Sequence, residues 1–260
     1  MVKPVFQSLW VGKALTDMER LSIRSFLAHG HEYHLYTYGP VAGIPPGVEQ
    51  RDAAEVLPEK SIFTTHRGSY ALFSDWFRWA MLLRNGGYWV DTDVICLKKF
   101  DFRDELVFGK QSDREVNTAV LGLPPEHPLS VLMLDCARSP FKAQSFDSAK
   151  TRRRKFRSRL MRYGYKDAKW GGVAGPAAFS NALRHLGLFD RAKPYTTFYP
   201  VNALNWDAIF NDTFASGLSL FQDSYAIHLW NEMMRRAEGF DKNGRFPAGS
   251  LIERLREAYL

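Results

Sequence analysis

Ser74-Asp75-Trp76-Phe77-Arg78-Trp79-Ala80-Met81-Leu82-Leu83-Arg84-Asn85-Gly86-Gly87-Tyr88-Trp89-Val90-Asp91-Thr92-Asp93-Val94-Ile95-Cys96-Leu97 is the stretch whose reading decides the fold. It reads as a helix, a tight Gly-Gly turn and a strand. Ser74 can cap at least the last turns of the helix, and Asn85-Gly86-Gly87 can supply a left-handed stop. At helical spacing Phe73, Trp76, Phe77, Ala80 and Arg84 share one face, and Asp75, Arg78, Trp79 and Leu82 the opposite one. Both faces carry large apolar residues, so burial on all sides is expected, and Asp75 and Arg78 then need partners. The strand is apolar from Tyr88 to Leu97 except at Asp91, Thr92 and Asp93. A side-chain period of two puts Asp91 and Asp93 on one face, with Cα atoms roughly 7 Å apart. Two carboxylates so placed repel unless a cation or a bound polar ligand sits between them. Hard oxygen donors of this kind suit Mg²⁺ or Mn²⁺, which keep positions open for phosphate oxygens.

The flanks extend the same architecture. Val5–Val11 reads as a first strand, Thr16 or Asp17 caps a helix to about Ala28, and His34–Tyr38 reads as a second strand, a β-α-β opening that implies a parallel sheet. Val48–Asp52, Leu106–Gly109, Asn117–Leu123, Thr197–Tyr199 and Ala226–Leu229 read as further strands. Leu129–Ala137 and Ala177–His185 read as helices, the latter opened by the Gly-rich turn from Gly171 to Pro176. Ser250-Leu251-Ile252-Glu253 is a capping box for a terminal helix. With no repeat, low-complexity tract or evident boundary, residues 1–260 read as a single α/β domain.

Composition narrows the class. A chain with 45% hydrophobic and 24% charged residues is that of an ordinary globular protein, so a disordered chain is excluded. Much of the formal net charge of +7 lies in the run from Lys150 to Arg162, without which the chain is close to balanced. The chain as a whole is therefore not a basic nucleic-acid binder. The run is expected to be a helix or an exposed arm. Its readings, in order, are a solvated face, a contact with an acidic acceptor or an anionic membrane, and nucleic acid last. Cys96 and Cys136 have no metal or redox spacing and read as buried thiols in a reducing compartment. Met1-Val2-Lys3-Pro4 carries no signal-like apolar run, and no stretch has the apolar length of a membrane span.

The joined motif Ser74-Asp75-x-x-Arg78, Leu82 or Leu83, Gly86-Gly87 and Asp91-x-Asp93 resembles the hallmark of DXD-containing, sugar-nucleotide-dependent glycosyltransferases. These are the family 32 enzymes, including Och1-type and capsule or lipopolysaccharide sugar transferases, and more distantly the clostridial glucosylating toxins. One departure is that the aromatic after Gly-Gly is Tyr88, where the pattern places it one position later, at Trp89. Leu9-Trp10-Val11-Gly12 resembles the W-I-G near the start of these enzymes, Asn117-Thr118-Ala119 with His127-Pro128 their N-x-x-x…H-P segment, Gly175-Pro176 their G-P turn, and His228-Leu229-Trp230 their H-x-W.

The resemblance implies a GT-A type fold with a mainly parallel sheet flanked by helices, and a metal-dependent, retaining transferase moving a hexose or N-acetylhexosamine. The donor would be a nucleotide-sugar, UDP-linked first and GDP-mannose second. The acceptor would be a glycan, a lipid-linked glycan or another hydroxyl, with Mn²⁺ or Mg²⁺ as cofactor. It implies catalytic roles for Asp75, Arg78, Asp91 and Asp93. Asp93 would be the main metal ligand, joined by Asp91 and His228. Asp91 would also reach ribose or sugar hydroxyls, Asp75 and Arg78 with Ser74 would hold the donor, and Leu9, Trp10 and Val11 would hold the base. Trp230 would reach the diphosphate, and Tyr88, Asn117 and Gly175 the sugar or acceptor. His228 and Trp230 are expected on one strand face. Lacking the N-terminal anchor of the Och1-type proteins, the chain is expected in the cytoplasm, with a peripheral contact to an anionic membrane through residues 150–162 and no specific nucleic acid.

Two alternatives remain open. A haloacid-dehalogenase-type phosphohydrolase also uses D-x-D after an apolar strand, its first Asp a nucleophile, but that pair normally opens the domain. A non-catalytic carbohydrate-binding protein on the same fold is the other.

Overall fold

The computed structural model describes residues 4–66, 68–168 and 172–260. The first three residues and Gly171 of the Gly-rich turn lie outside that set. Six strands form one sheet in the order β3-β2-β1-β4-β7-β6, and β5 and β8 form a separate pair. The expected class holds: α/β, with a mainly parallel central sheet flanked by helices. Contacts divide the chain into two compact units, one of residues 1–51, 90–103 and 194–260, the other of residues 52–89 and 104–193.

In chain order the elements are β1 (Val5–Trp10), α1 (Asp17–Ala28), β2 (Glu32–Thr37), β3 (Val48–Asp52), α2 (Ala71–Asn85), β4 (Gly87–Val90), β5 (Val94–Cys96), β6 (Val107–Ser112) and β7 (Glu115–Leu123). The remaining elements are α3 (Pro128–Arg138), α4 (Ala149–Leu160), α5 (Pro176–His185), α6 (Tyr195–Phe198), β8 (Ala226–His228), α7 (Asn231–Arg236) and α8 (Leu251–Tyr259).

The first unit grows from the β-α-β opening. β1 and β2 pair in parallel from Val5↔Glu32 to Trp10↔Thr37. Helix α1 starts where Thr16 predicts, its N–H donating to the Glu19 carboxylate at 2.9 Å. Two hydroxyls on its inner face then fix β5: Ser22 Oγ donates to the Val94 carbonyl at 2.6 Å, and the Cys96 N–H donates to Ser25 Oγ at 2.8 Å. β5 pairs antiparallel with β8, Val94 opposite His228. Met18 and Leu21 of α1, Ile95, Ile227, and Leu251 and Leu255 of α8 share one core. Ser250 caps α8 as expected, accepting from the Glu253 N–H. Glu253 itself turns to Arg256 at 2.6 Å and to the Phe246 N–H at 3.1 Å.

In the second unit α2 is buried nearly all round, as the residues on both its faces predict, with Phe73, Phe77, Trp79 and Leu82 fully buried. β6 and β7 form an antiparallel hairpin. Gly86 ends α2 at φ +62°, ψ −155°, a region open essentially to glycine alone. A Cβ there would lie 2.5 Å from the Pro125 ring. The Glu126 N–H donates to the Leu83 carbonyl at 2.8 Å, so the helix end is clamped to this loop. Cys136 is buried here, as Cys96 is in the first unit, and burial pushes each thiol up to about 12.

Three local expectations are corrected. Helix α2 begins at Ala71, so Ser74 lies a turn inside it and caps nothing. Residues 197–199 are not a strand: Pro194 opens the short helix α6, and the Thr197 N–H donates to the Pro194 carbonyl. Asp91 and Asp93 do not sit on one continuous strand. β4 stops at Val90, the acids occupy a turn closed by the Val94 N–H on the Asp91 carbonyl at 3.1 Å, and β5 belongs to the other sheet. The run 150–162 resolves as a helix over most of its length.

Replacing Gly86 by Ala combines a left-handed φ with a clash against Pro125, and is expected to cost about 2–5 kcal/mol. Gly30 has φ +76° with open space around its Cα, so Gly30→Ala should cost only about 1–2 kcal/mol; urea unfolding of the two variants checks the order. For Glu253, burial pushes the carboxyl up, but the Phe246 N–H, Arg256 and Arg245 more than offset it and hold the group below its ordinary 4.5. A lowered folded pKa contributes stability above the unfolded value, and that stability is lost as pH falls. Glu253→Gln should therefore destabilise near neutrality and converge with wild type as pH drops below 4.5, followed by unfolding midpoint against pH.

Candidate functional site

In the first unit, the turn at Asp91-Thr92-Asp93 is positioned by the strand pairing on its C-terminal side. The Leu229 N–H donates to the Asp93 carbonyl at 2.8 Å, extending the β5–β8 ladder by one rung. That rung places the Asp93 carboxylate against the end of β8. Its Oδ2 accepts the Asn231 N–H at 2.6 Å and stands 3.1 Å from His228 Nε2. Both side chains are buried. Burial pushes the Asp93 carboxyl up, but the His228 charge and hydrogen bond, the Asn231 N–H and Lys242 outweigh it, so the group is held below the usual carboxylate range and is ionised. Ser8 Oγ donates to the Val90 carbonyl, fixing the chain just ahead of Asp91.

Asp91, Asp93 and His228 each bring one ligand atom within 4.8 Å of the others. Two carboxylates and an imidazole nitrogen are a donor set that Mn²⁺ or Mg²⁺ accepts, with bonds of roughly 2.1 Å for Mg²⁺ and the affinity for imidazole favouring Mn²⁺. Ligation by His228 Nε2 requires its lone pair, so the imidazole would exchange its contact with Asp93 for the ion. The triad fits a divalent cation.

The aromatic neighbours orient this imidazole. The Trp230 ring lies 4.2 Å from His228, centroid to centroid, and Tyr199 lies 5.8 Å away. Trp230 does not share a strand face with His228, because β8 ends at His228 and Trp230 takes a left-handed backbone at φ 59°, ψ 55° as the chain turns into α7. Its indole N–H donates to the Val201 carbonyl at 2.9 Å. In the same unit, the Trp10 indole N–H folds back onto the Ala14 carbonyl at 3.1 Å, and its ring covers Gly12, where a Cβ would stand 3.0 Å from Nε1. Leu9 is buried and Val11 half-exposed.

In the second unit Asp75 and Arg78 pair across one helical turn at 2.8 Å, each side chain 4% exposed. Arg78 also donates to Thr118 Oγ1 at 2.6 Å and lies 5.0 Å over the Trp89 ring. Thr118 and Trp89 were not among the expected site residues. Thr118 lies next to Asn117, but period-two alternation on β7 gives the pair opposite faces, so no signal in the sequence joins Thr118 to Arg78. Asn117 is engaged at both ends: its amide donates to Gln111 Oε1 at 2.6 Å and its carbonyl accepts the Ala119 N–H at 2.7 Å. His127 caps α3, its Nδ1 accepting the Leu129 N–H at 3.1 Å. The Tyr88 ring packs over Gly122, where a Cβ would meet it at 2.7 Å. Gly175 is the N-cap of α5, and the Trp79 indole holds the preceding carbonyl, that of Ala174, at 2.8 Å. Ser74 is half-buried within α2.

Residues 48–113 match the family described as a glycosyltransferase sugar-binding region containing a DXD motif. Residues 150–255 match an alpha 1,4-glycosyltransferase conserved region. The human alpha-1,4-N-acetylglucosaminyltransferase is 25% identical over 184 residues, covering 70% of this chain and 48% of the relative. The chain thus spans about half the length of that curated relative. Among solved structures, the PaToxG glycosyltransferase is similar with a TM-score of 0.48 and 16% identity, over 71% of this chain and 69% of the other. The ligand-free glycosyltransferase domain of the YGT toxin is similar with a TM-score of 0.49 and 8% identity, over 74% and 79%.

Arg78 is a buried charge whose satisfaction depends on its neighbours. Asp75→Ala strips its ionic partner and is expected to cost about 3–5 kcal/mol. Thr118→Val removes one hydrogen bond to a charged donor and should cost about 1–3 kcal/mol. Denaturant unfolding of both variants tests the ranking.

Proposed function

We propose, for a chain that belongs to the DXD-containing glycosyltransferases, that it is a metal-dependent, retaining enzyme of GT-A type. It would move a hexose or N-acetylhexosamine from a nucleotide-sugar, UDP-linked before GDP-linked, to a hydroxyl of a glycan or glycolipid. The observation that carries this reading is the convergence of Asp91, Asp93 and His228 within one ion's reach. Neither the phosphohydrolase nor a non-catalytic binding protein is favoured by the family matches, which bracket both the DXD turn and the His228 segment.

The residues divide the work. Asp91, Asp93 and His228 would hold the cation, which when bound neutralises charge on the departing diphosphate. Asn231 and the Tyr199 and Trp230 rings keep Asp93 and His228 in one orientation. Trp10 offers a ring face to the base, its N–H already being taken by Ala14. Asp75 accepts hydrogen bonds from donor-sugar hydroxyls, and Arg78, planar and always charged, holds its orientation against Trp89. Gly175 presents backbone on the acceptor side. Asn117 supports β7 through Gln111 and Ala119, and retains one amide hydrogen and one carbonyl lone pair for a sugar or acceptor hydroxyl. Retention is a consequence of linkage chemistry. The usual nucleoside diphospho-hexoses are α-linked, and both the matched region and the human relative are named for α-1,4 products. An α product from an α donor keeps the anomeric configuration. The leaving diphosphate oxygen can then take the acceptor proton, and no separate strong base is required.

The test is hydrolysis and transfer by the purified chain across a panel of UDP- and GDP-sugars with Mn²⁺, Mg²⁺ or chelator. Turnover should need the cation, and Asp93→Asn and His228→Asn should each lower kcat/KM by roughly 100-fold, or about 2.7 kcal/mol, while circular dichroism stays that of the wild type. The reading fails if no nucleotide-sugar binds or turns over with either cation and Asp93→Asn changes nothing.

A further inference from the structure

Helix α4 has its amphipathicity reversed. A helix on a globular surface normally turns apolar residues inward and charge outward. Here the one buried residue of the helix is Lys155, tied to Asp147 by an ion pair at 2.7 Å. Thr151 and Ser158, half-buried, complete the inner side. The outer side carries Phe156 and Leu160, one turn apart and 68% and 75% exposed, continued by Met161 at 61%. Arginines alternate with them. Arg153, Arg154, Arg157 and Arg159 are all exposed, and among the described residues none has a carboxylate partner. No Asp or Glu occurs from Ser148 to Lys166. Arg153 and Arg157, four apart, repel along the helix.

We propose that this face docks on the anionic leaflet of a lipid bilayer. Two separate anomalies, unpaired guanidiniums and exposed large apolar side chains, have one resolution there. Guanidiniums bind headgroup phosphates with charge-assisted hydrogen bonds, while Phe156, Leu160 and Met161 enter the boundary between headgroups and acyl chains. A polyanion such as a nucleic acid or an acidic glycan would satisfy the arginines but leave the apolar side chains in water. The contact is interfacial, since among the described residues no helix is long and apolar enough to cross a membrane. None of these residues is in the proposed transfer site, and binding is measured without donor or metal, so this proposal and the transferase reading can fail separately.

The experiment is co-sedimentation of the full chain with vesicles of phosphatidylcholine alone and with about one-third phosphatidylglycerol, at low and high salt. Binding is expected to be at least tenfold tighter on the anionic vesicles and to weaken as salt screens the exposed charges. Phe156→Ser with Leu160→Ser should loosen it about tenfold at unchanged net charge, and Arg153→Gln with Arg157→Gln about tenfold through the loss of two positive charges, both with unaltered thermal melting. Absence of binding to the anionic vesicles overturns the proposal. So does binding that ignores the Phe156 and Leu160 substitutions and is matched by heparin or duplex DNA, which would make the helix a general polyanion contact.

Discussion

A carboxylate taken out of water must find donors or a counter-charge, and in the first unit everything around Asp93 answers that need. Its backbone carbonyl is paired with the Leu229 N–H, its side chain with the Asn231 N–H and the His228 imidazole. These partners all come from one segment, about 135 residues from Asp93 in the chain. They meet because Val94–Cys96 pairs antiparallel with Ala226–His228, and that pairing is held from behind by Ser22 and Ser25 on α1. Remove the two-stranded sheet and the acids of the DXD turn have no fixed position. His228 Nε2 stands 3.1 Å from the Asp93 carboxylate. One geometry therefore both satisfies the buried carboxylate within the chain and groups a candidate set of cation ligands.

The second unit solves a related problem differently. Asp75 and Arg78 are buried on α2, and their charges are balanced locally, one helical turn apart, then shared with the Thr118 hydroxyl and the Trp89 ring. Burying such a pair is rarely favourable compared with apolar residues of the same size. Its presence among the otherwise apolar buried residues of α2 is reasonable where the pair has polar work to do. A guanidinium fixed by a carboxylate, a hydroxyl and an aromatic face has lost its rotational freedom before any ligand arrives, so ordering it on binding costs little.

Much of this was legible in the sequence because it is local. The capping of α1 by Thr16, the burial of both faces of α2, the glycine at its end and the cap at Ser250 each depend on residues within a few positions of one another. The DXD pair and His228 were legible as motifs. What was not legible is non-local. The polar interruption at Asp91-Thr92-Asp93 is visible in the sequence, but that Val94–Cys96 leaves the sheet of β4 is not, because its partner is the distant strand at residues 226–228. Ser74 has the chemistry of a cap, but residues 71–73 pack well enough to carry the helix a turn earlier. Thr197-Phe198-Tyr199 has strand propensity, overridden by Pro194 and by the burial of Phe198. Thr118 and Trp89 are ordinary strand residues until Arg78 is seen beside them.

Trp230 shows how far the fold goes to keep the Asp93–His228 arrangement. A large non-glycine residue in the left-handed region is disfavoured by about 1–2 kcal/mol. Glycine would remove that strain and make the turn from β8 into α7 easily. It would also remove the indole, whose N–H anchors to Val201 and whose ring lies against His228. The left-handed residue has a second consequence: it reverses the chain so that the next N–H, that of Asn231, points at the Asp93 carboxylate. One strained position thus supplies the donor that helps keep Asp93 ionised and the wall that holds the imidazole in place. Strain of that size at a single residue, offset by a buried charge satisfied on two sides, is the arrangement expected where the orientation of a ligand set matters more than local backbone comfort.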